Sequence, residues 1–433
     1  MLVSLKDLLS EAERGNYAVI APDFPTLEVA DALLRCAEQH NAPLALSFSP
    51  SLKPYAGVTD FAHFIRMVRE MAVQAKIPVA LHLDHAYRME DIEEAIRLGF
   101  TSVMMDASTE PWEVNVERTR QVVELAHPLG ISVEAELGHV ASSGRYLTAD
   151  SQQGWLTDPQ EAAEFVQLTG IDALAVAIGT VHGLYAGEPN LDFERLKNIR
   201  ERVSVPLVLH GSSGTGEQKL RQCVEMGIRK INVYSDLMKA ITQSARGLLA
   251  DSEADPLDFI KEQRNAVNRV LSEYLAVSGS MGKAHLSQIS IKNRVRALFS
   301  QGYTCAEAVY LAFAEREGFY SDAAMKFQSL LGGGICNQGG MCGALFGGLA
   351  VIAARQSSVQ GADRISRYQA NSTGTKLIDA FNRRHSSVYC IDLTGTNFQA
   401  AEQVKRFVEN NVVEKACLPA LMSVTDWLLE MQA

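Results

Sequence analysis

The sequence predicts an α/β protein, a (β/α)8 barrel followed by a small all-α domain that carries cysteines. Three observations predict it. Eight short β-branched or apolar runs recur through the first 240 residues, separated by stretches with helical spacing. Polar residues stand at the C-terminal ends of most of these runs. From Ile291 onward the strand-like runs give way to helical patterns.

In chain order the runs are Tyr17–Phe24, Pro43–Phe48, Pro78–His85, Ser102–Ala107, Ser132–Gly138, Ala173–Gly179, Pro206–Gly211 and Lys230–Ser235. Between them lie Thr26–Gln39, Phe61–Gln74, Asp91–Leu98, Val114–Ala126, Pro159–Leu168, Phe193–Arg202, Gly216–Met226 and Asp236–Leu249, each with the spacing of an amphipathic helix. Such alternation means parallel strands joined by crossovers. Eight units in about 250 residues match a closed barrel. The other parallel arrangement is an open doubly wound sheet. Polar strand ends favour the barrel, because its active sites gather at that face. After a helical stretch over Asp255–Tyr274, the loop Ser278–Lys283 marks a boundary. This gives a barrel domain over 1–284 and a helical domain over 285–433. The second domain has helical patterns at Ile291–Phe299, Cys305–Glu315, Gly343–Arg355, Ala400–Glu409 and Leu418–Met431, and one glycine-rich loop, Gly332–Gly343.

Composition narrows the function. The 433 residues exceed what one hydrophobic core serves, in line with two domains. With 47% hydrophobic and 21% charged residues, the chain has an ordinary globular balance. A formal net charge of -11 repels nucleic acid and anionic lipid. No apolar run reaches membrane-span length, and the first fifteen residues read as an amphipathic helix rather than a signal peptide. A cytoplasmic location with reduced thiols is therefore expected. Five of the seven cysteines lie after residue 300, which argues for metal or redox chemistry there rather than a disulfide framework.

The third run ends in Asp84-His85, the sixth is followed by His182-Gly183, and the seventh ends in His210-Gly211. Imidazoles from three strand ends can converge at one rim, and three protein ligands with an open position define a catalytic zinc site. Gly183, Gly211 and Gly214 let backbone amides approach an anion, while Ser212, Ser213 and Asn232-Val233-Tyr234-Ser235 add donors just before a helix. That is the usual barrel position for a phosphate. Asp106 and Glu136, at the fourth and fifth strand ends, can orient ligand imidazoles, provide a second metal position, or simply be polar rim residues.

These segments resemble the class II ketose-bisphosphate aldolases, closest to the tagatose-bisphosphate branch. The resemblance rests on HLDH at 82–85, SVMMDAS at 102–108, SVEAELG at 132–138, AVAIGTVHG at 175–183, LVLHGSSG at 207–214 and KINV at 230–233. It implies that His85, His182 and His210 bind Zn2+ and that Asp84 is the acid/base. Gly183, Gly211, Ser212, Ser213, Asn232, Val233, Tyr234 and Ser235 would hold dihydroxyacetone phosphate. It also implies a monovalent cation (Na+ or K+) near the phosphate loops, a fructose- or tagatose-bisphosphate-like substrate, a place in carbohydrate metabolism such as glycolysis, and a homo-oligomer, dimer or tetramer. The chain departs from the family pattern in three places. Gly138–Tyr146 lacks the acidic residues of the loop after the fifth strand, with His139 in it reading as a surface residue. The first strand ends in Pro22-Asp23 instead of Phe-Asn. Tyr234-Ser235 stands where Ala-Thr is usual. Arg264 lies near where some relatives place a base for the distal phosphate.

The second half resembles the C-GCAxxG-C-C family of redox-active proteins, through GYTCAEAV at 302–309, GGGICNQGGMCGAL at 332–345 and VYCIDLTG at 388–395. Cys305, Cys336, Cys342 and Cys390 are its candidate redox or metal cysteines, and a metal or iron–sulfur centre is one reading. Cys417 reads as a buried apolar residue. The leading expectation for the whole is a zinc-dependent aldolase. The alternative is a non-catalytic, metal-bound sensor of sugar phosphate and redox state, and a third is a metal-dependent hydrolase or epimerase on the same barrel.

Overall fold

The computed structural model describes all residues except 57–59, 141–154, 184–188, 250–254, 285–287, 359, 361–362 and 432–433. The chain divides into two compact units, Met1–Leu286 and Ser287–Ala433. The first is a closed parallel barrel in which the strands neighbour one another in chain order. Its strands are β1 (Val19–Pro22), β2 (Leu44–Phe48), β3 (Val79–Ala86), β4 (Ser102–Met105), β5 (Ser132–Leu137), β6 (Ala173–Val176), β7 (Leu207–Leu209) and β8 (Ile228–Val233). Pairing of Val19–Pro22 with Lys230–Val233 closes the ring. Nearly every strand residue is buried, because helices cover the outer face and side chains fill the interior.

Helix α1 (Leu5–Gly15) precedes the barrel. The Val3 amide donates to the Val79 carbonyl and the Lys6 amide to Ser132 Oγ, at the first residues of β3 and β5. The segment leading into α1 therefore covers the N-terminal end of the barrel and leaves the other end as the mouth. The crossover helices are α2 (Leu27–Gln39), α3 (Phe61–Gln74), α4 (Met89–Leu98), α5 (Trp112–Ala126), α6 (Pro159–Thr169), α7 (Phe193–Arg200) and α8 (Glu217–Glu225). Several start on a side-chain cap: Thr26 accepts from the Val29 amide, Asp158 from Gln160 and Glu161, and Asp192 from Arg195. After β8 come α9 (Ser235–Leu249) and α10 (Pro256–Val277), which pack on each other, with α10 also against α2.

The second unit is helical, with α11 (Gln288–Ser300), α12 (Cys305–Glu317), α13 (Asp322–Gln328), α14 (Gly343–Gln356), α15 (Arg364–His385), α16 (Cys390–Thr394), α17 (Ala401–Glu409) and α18 (Leu418–Glu430). Helix α12 is its centre. Ala306 and Ala308–Ala314 are all buried, and a buried Arg294–Glu315 pair with two 2.8 Å bonds ties α11 to it. Helix α14 crosses α12 closely because Gly347 has no side chain, since a Cβ there would lie 2.5 Å from the Ala306 carbonyl oxygen. No helix among the described residues is long and apolar enough to cross a membrane.

Candidate active site

Strict alternation along β3 would aim His82 and Asp84 inward and His85 outward. The β3–β4 register shifts between Leu83 and Ala86, and His85 adopts φ 48°. This irregularity, costly for a residue with a side chain, brings Asp84 and His85 to the same mouth. His182 follows β6 and His210 follows β7. Ring centroids lie 4.6 Å apart for His85–His210, 4.9 Å for His85–His182 and 5.9 Å for His182–His210. Nitrogens of all three rings lie within 4.8 Å of one another.

Each ring has its other nitrogen held by an acceptor. His85 Nδ1 donates to Asp106 Oδ2 at 2.8 Å, His182 Nδ1 to the Val140 carbonyl at 2.9 Å, and His210 Nε2 to Glu134 Oε1 at 3.0 Å. These partners fix the tautomers and leave His85 Nε2, His182 Nε2 and His210 Nδ1 for the centre. His85 Nε2 sits 2.8 Å from His210 Nδ1. The carboxylates of Asp84 and Asp106 stand beside this point and favour a cation there. Burial opposes charging His85, but Asp84 and Asp106 outweigh it and raise the ring to about 10. Burial and the neighbouring His85 and His210 lower His182 to about 3. A donor set of three oriented imidazoles within a negative field fits a divalent metal ion.

Asp84 is buried and accepts from Asn232 Nδ2 at 3.0 Å, with Oδ2 3.9 Å from His85 Nε2. Burial works against its charge, but His85, His82 and His210 hold the carboxyl well below the usual carboxylate range. It is thus an ionised base beside the imidazoles. Asp106 serves His85, and Ser108 Oγ donates to its other oxygen at 2.7 Å. Glu136 Oε1 accepts from the Val140 amide at 2.9 Å, while Oε2 is buried with no hydrogen-bond partner, 3.7 Å from His210 Nδ1. Burial and Asp106 push Glu136 up to about 8. His85, Asp106 and Glu136 form a second cluster compact enough for an ion. His139 differs from the surface residue expected. Its Nδ1 meets Ser108 Oγ at 2.9 Å, and its ring packs on Trp155 at 4.7 Å.

Sequence reasoning missed a network below the mouth. Lys230 is fully buried and donates to both oxygens of Glu134 at 2.9 and 2.8 Å and to His82 Nε2 at 3.2 Å. Burial raises Glu134, but Lys230 and His82 outweigh it and bring the carboxyl to about 2. The chain Lys230–Glu134–His210 therefore anchors one imidazole from inside the barrel. Its signal is the two-residue period that puts Glu134 beside Glu136 on β5 and Lys230 beside Asn232 on β8.

A cavity of about 440 Å³ opens above the histidines. Asp84, His85 and His182 line it, and so do all eight residues expected to hold the phosphorylated substrate: Gly183, Gly211, Ser212, Ser213, Asn232, Val233, Tyr234 and Ser235. His210 lies fully buried just beneath. Gly211 needs to be glycine, since its φ is 63° and a Cβ would lie 2.5 Å from the Val181 carbonyl oxygen. Ser213 Oγ accepts from the Asp236 amide at 3.2 Å, and Asp236 Oδ2 accepts from the Gly214 amide and the Tyr274 hydroxyl. These bonds tie the β7 loop to the start of α9, whose first amides offer an anion site. Asp23, whose amide donates to the Val233 carbonyl at 3.2 Å, and Ser49, Ser51, Leu52 and Tyr87 complete the lining. Burial and Asp84 push the Asp23 carboxyl well above the usual carboxylate range. Arg264 is absent from the lining and pairs with Asp31 at 3.6 Å. In the loop after β5, residues 141–146 lie outside the described residues.

In the helical unit, Cys305 opens α12, Cys342 caps α14 and Cys390 opens α16. The Cys342 amide donates to the Val388 carbonyl and the Cys390 amide to the Gly340 carbonyl, joining the two segments. A hydrogen bond from Cys342, and amides including Ala306 and Gly333, draw the Cys305 thiol down despite its burial. The same bond and burial push Cys342 well up. Burial takes Cys390 to about 11 and Cys417 to about 12, and Cys305 contributes to both. Cys417, left out by sequence reasoning, thus lies within electrostatic reach of Cys305 and Cys390. Cys336 is exposed. No three cysteines among the described residues bring their sulfurs close enough to share an ion.

Residues 3–283 match the family model described as fructose-bisphosphate aldolase class-II, and residues 303–431 match that of the candidate redox-active C_GCAxxG_C_C family. Among solved structures, the chain is similar to the YdjI aldolase of Escherichia coli K12, at 35% identity over 66% of this chain and 100% of that one, with a TM-score of 0.59. It is similar to a candidate fructose-1,6-biphosphate aldolase from Coccidioides immitis, at 32% identity over 64% and 96%, with a TM-score of 0.57. The fold is also that of the Campylobacter jejuni fructose-bisphosphate aldolase, at 23% identity over 65% and 97%, with a TM-score of 0.55.

Proposed function

From the premise that this chain belongs to the class II fructose-bisphosphate aldolase family and is an aldolase, we propose that it cleaves a phosphorylated ketose to dihydroxyacetone phosphate and an aldehyde with zinc held by His85, His182 and His210. The supporting observation is the set of three imidazoles, each fixed through one nitrogen and converging through the other, beside the ionised Asp84. A divalent ion held there supplies Lewis acidity for the negative charge that develops on the substrate oxygens. Asp84 takes the proton of the C4 hydroxyl as the C3–C4 bond breaks, and returns it in condensation. Asn232 holds the Asp84 carboxylate in place. Gly183, Gly211, Ser212, Ser213 and Val233–Ser235 bind the phosphate through amides and hydroxyls, and the start of α9 adds its dipole. Asp106 and Glu134 keep His85 and His210 oriented.

Dialysis against a strong chelator is expected to abolish dihydroxyacetone phosphate release, and added zinc to restore it. Metal analysis should give wild-type protein one tightly held ion per chain and a His182→Ala variant much less. Undiminished cleavage after verified metal removal would refute this reading. An ionised, anchored Asp84 favours catalysis over a sensing role.

For the helical unit we propose Cys305 and Cys342 as the reacting thiol pair. Cys305 thiolate attacks one sulfur of a small-molecule disulfide and releases a thiol. Cys342 then gives up its proton and displaces the second thiol, closing a Cys305–Cys342 disulfide. Treatment of the full chain with oxidised glutathione, followed by peptide mass spectrometry, is expected to recover that cross-link. Recovery of a different pairing would count against it.

A further inference from the structure

In a ring of eight strands that neighbour one another in chain order, β3 and β4 stand across from β7 and β8. In the proposed mechanism the phosphate binds on the β7 and β8 side, among amides, serines and the start of α9. Asp84, near the end of β3, acts at C4 of the substrate. The carbon chain beyond C4 therefore extends toward the β3 and β4 rim. Tyr87, the residue after β3, lines the cavity there and is 56% exposed.

Helix α5 follows β4, and its Arg118 donates through Nη2 to the Tyr87 carbonyl at 3.0 Å. This bond holds the guanidinium at the same rim. Nearby arginines are committed to acids: Arg88 pairs with Asp91 and Arg120 with Glu117, both at 2.9 Å. Arg118 has no acid partner among the described residues, in a chain of net charge -11. One bond to a carbonyl leaves the other N–H donors of a guanidinium for an anion, and its planar fork matches phosphate and carboxylate oxygens. Arg264, the base expected from the sequence for a distal phosphate, is absent from the lining and pairs with Asp31 at 3.6 Å.

We propose that Arg118 determines specificity by binding an anionic group, phosphate or carboxylate, at the distal end of the substrate. The inference rests on the aldolase reading above and names the residue that reads the aldehyde half. The products are then dihydroxyacetone phosphate and an aldehyde that carries a negative charge. Arg118 stands apart from the reacting carbons, so it acts on KM for that aldehyde and leaves the bond-making step to Asp84 and the metal site.

The test runs the reaction toward condensation, with dihydroxyacetone phosphate and three aldehydes: neutral glyceraldehyde, glyceraldehyde 3-phosphate and the carboxylate succinic semialdehyde. The metal-loaded wild type is expected to prefer at least one anionic aldehyde over glyceraldehyde by about tenfold or more in kcat/KM, the scale of a hydrogen bond to a charged group. The better of the two tells phosphate from carboxylate. Arg118→Ala should remove that preference through KM, with little change for glyceraldehyde, and Arg118→Lys should restore part of it. Glyceraldehyde used as well as both anions by the wild type overturns the inference while the aldolase reading stands. An equal loss for all three aldehydes in Arg118→Ala, felt in kcat, shows that Arg118 only supports the Tyr87 backbone and overturns it as well. No condensation with any of the three removes the aldolase reading and this inference with it.

Discussion

Asp84→Ala is expected to lower kcat about 10²–10⁴-fold, the usual contribution of a positioned acid/base, while bound zinc stays at the wild-type level. Asp84 is buried, ionised and anchored by Asn232, and its oxygens stand 3.7 Å from His82 and 3.9 Å from His85. In the proposed mechanism it serves the substrate, and the three imidazoles hold the ion. Asp84→Asn should lose as much, because an amide keeps the shape and still accepts from Asn232 but cannot take a proton. Dihydroxyacetone phosphate release in a coupled dehydrogenase assay gives the rate, and elemental analysis gives the metal content. Loss of the metal along with activity would make Asp84 a ligand. More than a tenth of wild-type turnover would remove it from the proton-transfer step.

The barrel and the mouth of the site were legible in the sequence for one reason. In a parallel barrel, function concentrates at strand ends, and strand ends are where an apolar run meets its first polar residue. Asp84, His85 and His210 stand there, and His182 stands just beyond β6. The glycines at 183 and 211 mark places where only glycine accepts the backbone. Groups whose meaning depends on closure were not legible. Lys230 on β8 and Glu134 on β5 lie 96 residues apart on strands that are not neighbours, and only the ring brings them to 2.8 Å. A lysine inside an apolar run looks like a strand boundary until its partner across the barrel is known. The irregular backbone at His85 was equally hidden, since Leu83-Asp84-His85 reads as plain alternation. In the helical unit the glycine-rich loop drew attention to Cys336, which is exposed. Cys417 precedes a helix with no special spacing, and only the packing of α12, α16 and α18 shows its link to Cys305.

The same closure makes Lys230 the residue whose loss should cost the fold most. Lys230→Met would leave Glu134 charged and fully buried with only His82 and His210 beside it. Breaking a buried pair in this way typically costs about 3–5 kcal/mol, a large part of a domain's stability. Urea unfolding followed by far-ultraviolet circular dichroism should show it as an early transition belonging to the barrel. A second effect should accompany it. Glu134 orients His210 through Nε2, and without the two bonds from Lys230 its carboxylate is no longer held in place for that ring. Zinc affinity should then fall about 10–100-fold, the usual consequence of losing a group that orients a ligand. Adding Glu134→Gln to Lys230→Met removes the orphaned charge, so stability should partly recover. The zinc affinity should stay low, because a neutral amide is a poorer acceptor for the imidazole. A single variant as stable as wild type would show that water or a rearranged neighbour neutralises Glu134. Full metal affinity in the double variant would show that His210 needs no anionic partner.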